Sequence, residues 1–430
     1  MGDKDTVPIR KGSGSVDRER LPAPGGLVRT PLDVAVAWIE AQIPALGADA
    51  LEVAEAIGRV LAEPAIADAD IPPSDRSSMD GIAVRAQDTI GASTYNPVNF
   101  RLVSPAEELL PFDAARVDAG QPLPKEADAV MPLDHASLDA AGGCEVVDAV
   151  ATGNQVELGG CRAARGSTLL PAGRELRPYD IGVLRMAGIA QVLAIRRPKV
   201  GVLLTGPRLG PAMSDADHDA NGPLLHALVE RDGGILGEAR RVERDRMALS
   251  KALAAPGPDI VFVVGCTGRG PDDCAPGALA DAGELAVHGV ALNPGETAGF
   301  GQTSAGTPVF LLPGAPPACL WAYELLAGRA IRRLAGRNPA LPFLSREIRT
   351  RRKIMSNIGL TEICLVRFNG TGAVEPMSSV TDADLVAASR ADGFVIIPEG
   401  SEGFPEGSSV TVYLLGAHGA CPGDWPEARS

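Results

Sequence analysis

The sequence predicts an α/β and β multidomain protein: a central three-layer α/β domain on a parallel sheet, with smaller helical and β-rich domains around it. Three observations lead there. Short, continuous apolar runs occur at Lys199-Val-Gly-Val-Leu-Leu-Thr-Gly206, Asp259-Ile-Val-Phe-Val-Val-Gly265 and Val309-Phe-Leu-Leu-Pro-Gly314. Such runs fit strands buried on both faces of a parallel sheet. They alternate with helical stretches at 221–231, 245–254, 275–283 and 317–336, which argues for βαβ units with right-handed crossovers. By contrast, 88–157 and 341–416 hold short strand-like segments punctuated by Gly, Pro and Asp, the pattern of compact β modules.

Each apolar run ends in a glycine turn. Gly265-Cys-Thr-Gly-Arg-Gly-Pro-Asp-Asp273 follows one run, and Pro313-Gly-Ala-Pro-Pro317 follows another. In parallel sheets, ligands bind outside the carboxyl ends of the strands. Three loops at one rim therefore predict a small-molecule site that holds an anionic group on backbone amides. Any one of them alone reads as an ordinary tight turn. Neither Gly-x-Gly-x-x-Gly nor Gly-x-x-x-x-Gly-Lys-Ser/Thr occurs, so no dinucleotide fingerprint or Walker phosphate loop is indicated.

Bulk properties narrow the function classes. A chain of 430 residues suggests two to four domains, and 45% hydrophobic content supplies a substantial core. The formal charge of −14 argues against a general nucleic-acid binder, which would carry a basic stripe. Arg346, Arg349, Arg351, Arg352 and Lys353 form one local basic cluster, read as a solvated face or an anion recruiter. The seven cysteines are odd in number and form no Cys-x-x-Cys pair, so they make neither a disulfide framework nor a zinc site. Cys266, inside the glycine loop, is a reactive thiol or a small space-filler. No apolar run is long enough to span a membrane. The first residues lack the apolar segment of a signal peptide, so a cytoplasmic, reducing setting is expected.

In chain order, 1–28 is polar and rich in Gly, Pro and Arg, and reads as a disordered leader. Thr30 is expected as the N-cap of a first helix with Pro31 at its first position, and Leu32, Val36, Ile39 and Ile43 share one face. A second helix is expected at 54–62 and another within 166–190. These pieces, 29–87 and 158–195, are expected to form a discontinuous helical domain around a β-rich insertion at 88–157. The α/β domain then covers 196–338, a C-terminal β-barrel-like domain covers 341–416, and 417–430 is a tail.

These stretches resemble a known family. After two prolines, Ser77-Ser-Met-Asp-Gly-Ile-Ala-Val-Arg85 is similar to the signature of the molybdopterin molybdenumtransferases, MoeA and the gephyrin E domain. The likeness continues through Gly120, Ala127-Asp-Ala-Val130, Arg197-Pro-Lys-Val-Gly-Val-Leu-Leu-Thr-Gly206, Asp219-Ala-Asn221, the loop at Gly265, Asn293-Pro-Gly295 and Leu312-Pro-Gly314. It covers the chain from about Thr30 to Gly416. The resemblance implies a MogA-like α/β domain at the centre and a cytoplasmic homodimer with its site at a domain interface. It also implies a reaction: molybdate enters the dithiolene of adenylylated molybdopterin and AMP leaves, assisted by Mg2+. An apo-molybdoenzyme would be the client, and neither nucleic acid nor membrane would be a partner.

Carried over residue by residue, the resemblance makes Asp80 and Asp273 the acids for catalysis, metal or molybdate. It makes Ser78, Thr205, Gly206, Asn221, Gly265, Thr267, Gly270, Pro294, Gly295, Gly314 and Pro316 the residues that shape or contact the substrate. An anionic, phosphate-bearing pterin needs amides and cations around it, and a hard divalent cation needs carboxylates. Thr205 and Asn221 also suit plain turn or cap duty. The chain departs from the family where the chemistry lies. Pro207-Arg208 stand for Asp-Glu, Gly268 for Ser, Pro271 for the first Asp, and Asn293 and Glu296 for two lysines. Gly160-Cys161 replace an acidic pair, Ala119 a threonine and Ala315 an asparagine. Two readings follow: molybdate insertion with Arg208, Arg269 or other cations replacing the lysines, or a scaffold that binds molybdopterin or the finished cofactor without catalysis.

Overall fold

The computed structural model describes residues 29–138, 143–205, 219–369, 372–377 and 384–416. The chain divides into two compact units, one made of Met1–Pro44, Pro198–Leu334 and Asn338–Ser430, the other of Ala45–Arg197 and Ala335–Arg337.

The first unit is built on a six-stranded sheet. Its elements are α1 (Leu32–Gln42), β1 (Lys199–Leu204), α2 (Asn221–Arg231), β2 (Ile235–Arg241), α3 (Arg246–Leu253), β3 (Ile260–Val264), α4 (Ala275–Ala282), β4 (Gly283–His288), β5 (Gly299–Thr303), β6 (Pro308–Leu312), α5 (Pro316–Ala322) and α6 (Gly328–Leu334). The strand order is β2-β1-β3-β6-β5-β4. The first four run parallel, and β5 and β4 extend the sheet antiparallel. The central β3 is Ile-Val-Phe-Val-Val, and all five residues are buried. Alternate residues face opposite ways along a strand. Leu203, Val261, Val263, Val309 and Leu311 therefore pack on α3 and α4 through Leu249, Leu253, Ala278 and Leu279. On the other face Phe262 meets Phe310 and Tyr323 edge-on, with centroids 6.3 and 5.9 Å apart. The predicted three-layer α/β domain is present.

Four further strands, β7 (Ser345–Arg349), β8 (Thr361–Phe368), β9 (Gly393–Ile397) and β10 (Ser409–Leu414), form a C-terminal sheet in the order β8-β9-β10-β7. Its outer neighbour beyond β8 is a two-residue strand from the α/β domain, Leu292–Asn293, which runs parallel to Thr361 and Glu362. Trp321 of α5 packs edge-on against Phe394 of β9 at 4.9 Å.

The second unit holds a six-stranded sheet in the order Ala129–Pro132, Gly81–Val84, Asp113–Val117, Val98–Val103, Gly143–Val146, Ala136–Leu138. Ile82, Val84, Ala114, Ala129, Met131, Cys144 and Val146 make its core. A second small core joins Val53, Leu61, Leu170 and Leu176 to Leu184 of the Pro178–Met186 helix.

Several local expectations are corrected. Pro31, not Thr30, is the N-cap of α1. Thr30 instead bridges Val290, its N–H donating to the Gly289 carbonyl at 2.9 Å and its carbonyl accepting from Ala291 at 2.8 Å. Helix α1 packs on the α/β domain, with Trp38 4.9 Å from Phe300. An indole finds more apolar surface against that sheet than against a short helical piece. The helix expected at 54–62 shrinks to a 3-10 turn at Val53–Glu55, after which Val60 and Leu61 make β-bridges. Within 166–190, Thr168–Leu170 is a strand and only Pro178–Met186 is helical.

Candidate anion-binding rim

The carboxyl ends of β1, β3 and β6 carry the predicted loops side by side. Thr205 follows β1 and is buried; its N–H and Oγ1 both donate to the Val264 carbonyl, at 2.9 and 3.0 Å. Gly265 follows β3 and donates to the Leu312 carbonyl at 2.9 Å. Its φ is +90°, and a Cβ there would meet the Thr205 carbonyl oxygen at 2.9 Å. Both backbone conformation and space therefore require glycine. Gly314 follows β6, and a Cβ on it would lie 3.3 Å from the Gly265 Cα. These loops touch backbone to backbone.

Asn221, the first residue of α2, ties a fourth loop to them: its Nδ2 donates to the Gly314 carbonyl at 2.9 Å. Its Oδ1 is buried and, among the described residues, has no hydrogen-bond partner. A buried acceptor left unpaired costs about 1–3 kcal/mol, so this oxygen is suited to a donor from a ligand. Pro316 opens α5 at its first position.

The loop after Gly265 folds on itself. Asp273 accepts from the Gly270 N–H at 2.8 Å through Oδ2, and a Cβ at Gly268 would collide with that same oxygen. Cys266 points inward, donating to the Thr205 carbonyl at 2.9 Å and accepting from Arg244 Nε at 3.1 Å. Thr267 is buried, and its Oγ1 lies 3.1 Å from Thr297 Oγ1. His288 Nε2 is 2.8 Å from the Thr267 carbonyl. Through Thr297 the Asn293-Pro294-Gly295 loop joins the glycine loop.

Both lysine-replacing residues are engaged within the chain. Asn293 donates to Glu362 at 2.9 Å, and Glu296 accepts from Arg29 at 2.5 Å. Sequence reading missed Arg29, Arg244, His288, Thr297 and Glu362. None stands in a motif, and contacts across more than 200 residues, such as Arg29 with Glu296, leave no local pattern.

Ser78 and Asp80 belong to the other unit. Ser78 donates to Gln155 Oε1 at 2.7 Å, and Asp80 accepts from the Ala119 N–H at 2.7 Å. Gly206, Pro207 and Arg208 lie outside the described residues. Among the described residues no group of three or more His, Cys, Asp and Glu converges as a metal site, and no helix is long and apolar enough to cross a membrane. A cavity of about 360 Å³ lies along β1 and β2, walled by Val200, Val202, Ile235, Ala252, Pro258 and Val261, with Lys199, Glu238 and Arg240 also in its lining.

Comparison with known proteins gives the same frame. The MoeA N-terminal region (domains I and II) matches residues 30–188, a probable molybdopterin binding domain matches 201–333, and the MoeA C-terminal region (domain IV) matches 347–415. The chain is 27% identical over 404 residues to a Staphylococcus aureus molybdopterin molybdenumtransferase, spanning 89% of this chain and 95% of that one. It is 26% identical over 393 residues to the Bacillus subtilis molybdopterin molybdenumtransferase, spanning 86% and 90%. A solved structure of a molybdopterin biosynthesis moeA protein from Pyrococcus horikoshii superimposes with a TM-score of 0.71 at 26% identity, covering 90% of this chain and all of that one. With N-terminal, central and C-terminal matches in that order, the chain belongs to the MoeA family.

Proposed function

We propose that this protein acts in molybdenum-cofactor biosynthesis, at the step where molybdate enters the dithiolene of adenylylated molybdopterin and AMP leaves. The rim carries this reading: Thr205, Gly265, Asn221 and Gly314 interlock at the carboxyl ends of three parallel strands, with an unpaired Asn221 Oδ1 buried among them. The glycine loops at Gly265–Gly270, Gly295 and Gly314 would let the phosphates approach the backbone closely, with Thr267 and Pro316 shaping the walls. Asn221 would accept a donor from the pterin or ribose. Asp273 and Asp80 would be the acids. The relatives named molybdopterin molybdenumtransferase support this assignment.

Magnesium is usually held by one or two carboxylates with substrate phosphates and water rather than by an all-protein cage. Asp273, with one oxygen on the Gly270 amide, fits that role together with a bound phosphate. Bound there, the ion would neutralise charge on the departing phosphate. The four-domain division, a homodimer, a cytoplasmic setting and an apo-molybdoenzyme client are part of the same proposal. Its test is AMP release and reconstitution of an apo-molybdoenzyme from adenylylated molybdopterin, molybdate and the purified protein. No turnover beside an active homologue would refute insertion.

A second reading has its own observation. Asn293 and Glu296 stand at the family's lysine positions and are committed to partners inside the chain. This favours a protein that binds molybdopterin or the finished cofactor without inserting metal. Stoichiometric pterin binding without turnover would support it, and complementation of a strain lacking its molybdenumtransferase would refute it.

A further inference from the structure

The Asn293–Thr297 loop is short of positive charge for a phosphate site. From His288 to Ala298 the chain has no lysine or arginine, and Glu296 adds a negative charge. A cation nevertheless reaches this loop, from the N-terminal part of the sequence. The Thr30 bridge to Val290, with hydrogen bonds of 2.9 Å to Gly289 and 2.8 Å from Ala291, pins the backbone beside the loop. Arg29, one residue earlier, then places its Nη2 2.5 Å from Glu296 Oε2.

Three details of this pair point beyond a surface ion pair. Its side chains are 34% and 46% exposed, so a dissolved anion can reach them. The Arg29 Nε is buried and, among the described residues, has no hydrogen-bond partner. A guanidinium matches carboxylate or phosphate with two parallel N–H donors, so the contact with Glu296 uses the fork incompletely. Glu296 is also flanked by Gly295 and by Thr297, which contacts Thr267 of the glycine loop.

We propose that Arg29 is the anion-binding cation of this rim, and that Glu296 is an internal stand-in anion which a ligand phosphate displaces. This rests on reading the rim as a phosphate site. It identifies the ligand class at that spot as a phosphomonoester or diphosphate. The chain thereby restores, from its N-terminal segment, the charge that the loop itself lacks. Glu296 acts as a built-in competitor, so resting affinity is lower than Arg29 alone would give.

The experiment uses full-length protein and AMP and inorganic pyrophosphate as probes, titrated calorimetrically at low and moderate salt. Glu296→Gln keeps the size and an acceptor for Arg29 but removes the charge; it should bind both probes about tenfold tighter. Arg29→Ala should bind about tenfold more weakly, Arg29→Lys should keep much of the affinity, and Glu296→Lys should rescue Arg29→Ala. Melting temperatures identify any variant that fails to fold, and Glu296→Gln with Arg29→Lys then carry the decision. If Glu296→Gln binds no tighter than the parent, or a folded Arg29→Ala binds equally well, the proposal is overturned. Absence of binding by parent and Glu296→Gln alike also overturns it. Turnover on adenylylated molybdopterin is scored separately, so a failed insertion assay with the expected binding series refutes only the catalytic reading.

Discussion

Asn293 Nδ2 donates to Glu362 Oε1 at 2.9 Å, joining the Pro294–Gly295 loop to the first full strand of the C-terminal sheet. Glu362 is fully buried. Its other oxygen accepts from Ser356 Oγ at 2.8 Å and the Asn357 N–H at 3.0 Å, and Asn357 Nδ2 donates to Oε1 at 3.0 Å. Burial pushes this carboxyl up, but the hydrogen bonds from Asn293, Asn357 and Ser356 together outweigh it and hold the group below the usual carboxylate range.

Glu362→Ala would strand these donors and should cost about 2–4 kcal/mol. Because the folded value is depressed, the stability from ionised Glu362 is present above the unfolded value of about 4.3 and is lost as pH falls through the folded one. In urea melts, the gap between wild type and Glu362→Gln should be widest near pH 7 and narrow below about pH 4. A gap independent of pH would mean that the carboxylate charge contributes nothing.

Gly268 and Asp273 form a second dependent pair, because a Cβ at 268 would displace the carboxylate that caps Gly270. Gly268→Ala should therefore weaken AMP or pterin binding about tenfold with a small change in melting temperature. In an Asp273→Ala background the same substitution should cost much less, since the colliding atom is gone. Equal effects in both backgrounds would place the damage elsewhere.

How much of this was legible varies by element. The three Val/Ile/Leu/Phe runs became β1, β3 and β6, because a strand covered on both faces has to be apolar throughout. Strand β2 was not legible: it is the sheet edge, and Glu238, Arg240 and Arg241 break any apolar run. The glycine positions of the rim could be read, because close backbone approach leaves glycine in the sequence. The polar partners could not. Arg29 meets Glu296 across 267 residues and Asn293 meets Glu362 across 69, and polar pairing at such range has no periodicity. The expected acids, Asp80 and Asp273, each sit on a backbone amide, a turn-forming duty as compatible with Asp-Gly chemistry as with catalysis.

Beyond the C-terminal end of α2, Asp232 and Glu324 are buried with Arg332. Asp232 Oδ2 accepts from Arg332 Nη1 at 2.9 Å, Tyr323 Oη at 3.0 Å and Arg231 Nη2 at 3.0 Å, while Arg231 also grips Glu324 at 2.7 and 2.8 Å. Two acids thus face two arginines in the interior. Arg332→Met removes one cation and should cost about 3–5 kcal/mol, because Asp232 stays buried with half its compensation. Tyr323→Phe removes one neutral donor and should cost about 1 kcal/mol. Chemical denaturation of both variants checks the ordering; equal losses would show that packing, not charge, sets the cost.

The cysteines separate by environment. Cys144, Cys319 and Cys364 are buried, and burial pushes their thiols up to about 11, 12 and 12. At pH 8 a thiol near 12 is about one part in ten thousand thiolate, and thiolate is the reactive form. Cys161 is exposed. Iodoacetamide at pH 8 should therefore alkylate Cys161 first and reach the other three only after urea unfolding, as followed by peptide mass spectrometry. Cys266 is the informative case. Arg244 Nε lies 3.1 Å from its sulfur, but the side chain is buried and its Sγ–H is committed to the Thr205 carbonyl. If access decides, Cys266 stays unmodified while the fold is intact, and it is a packing residue of the glycine loop. If it reacts as fast as Cys161, the loop opens readily in solution.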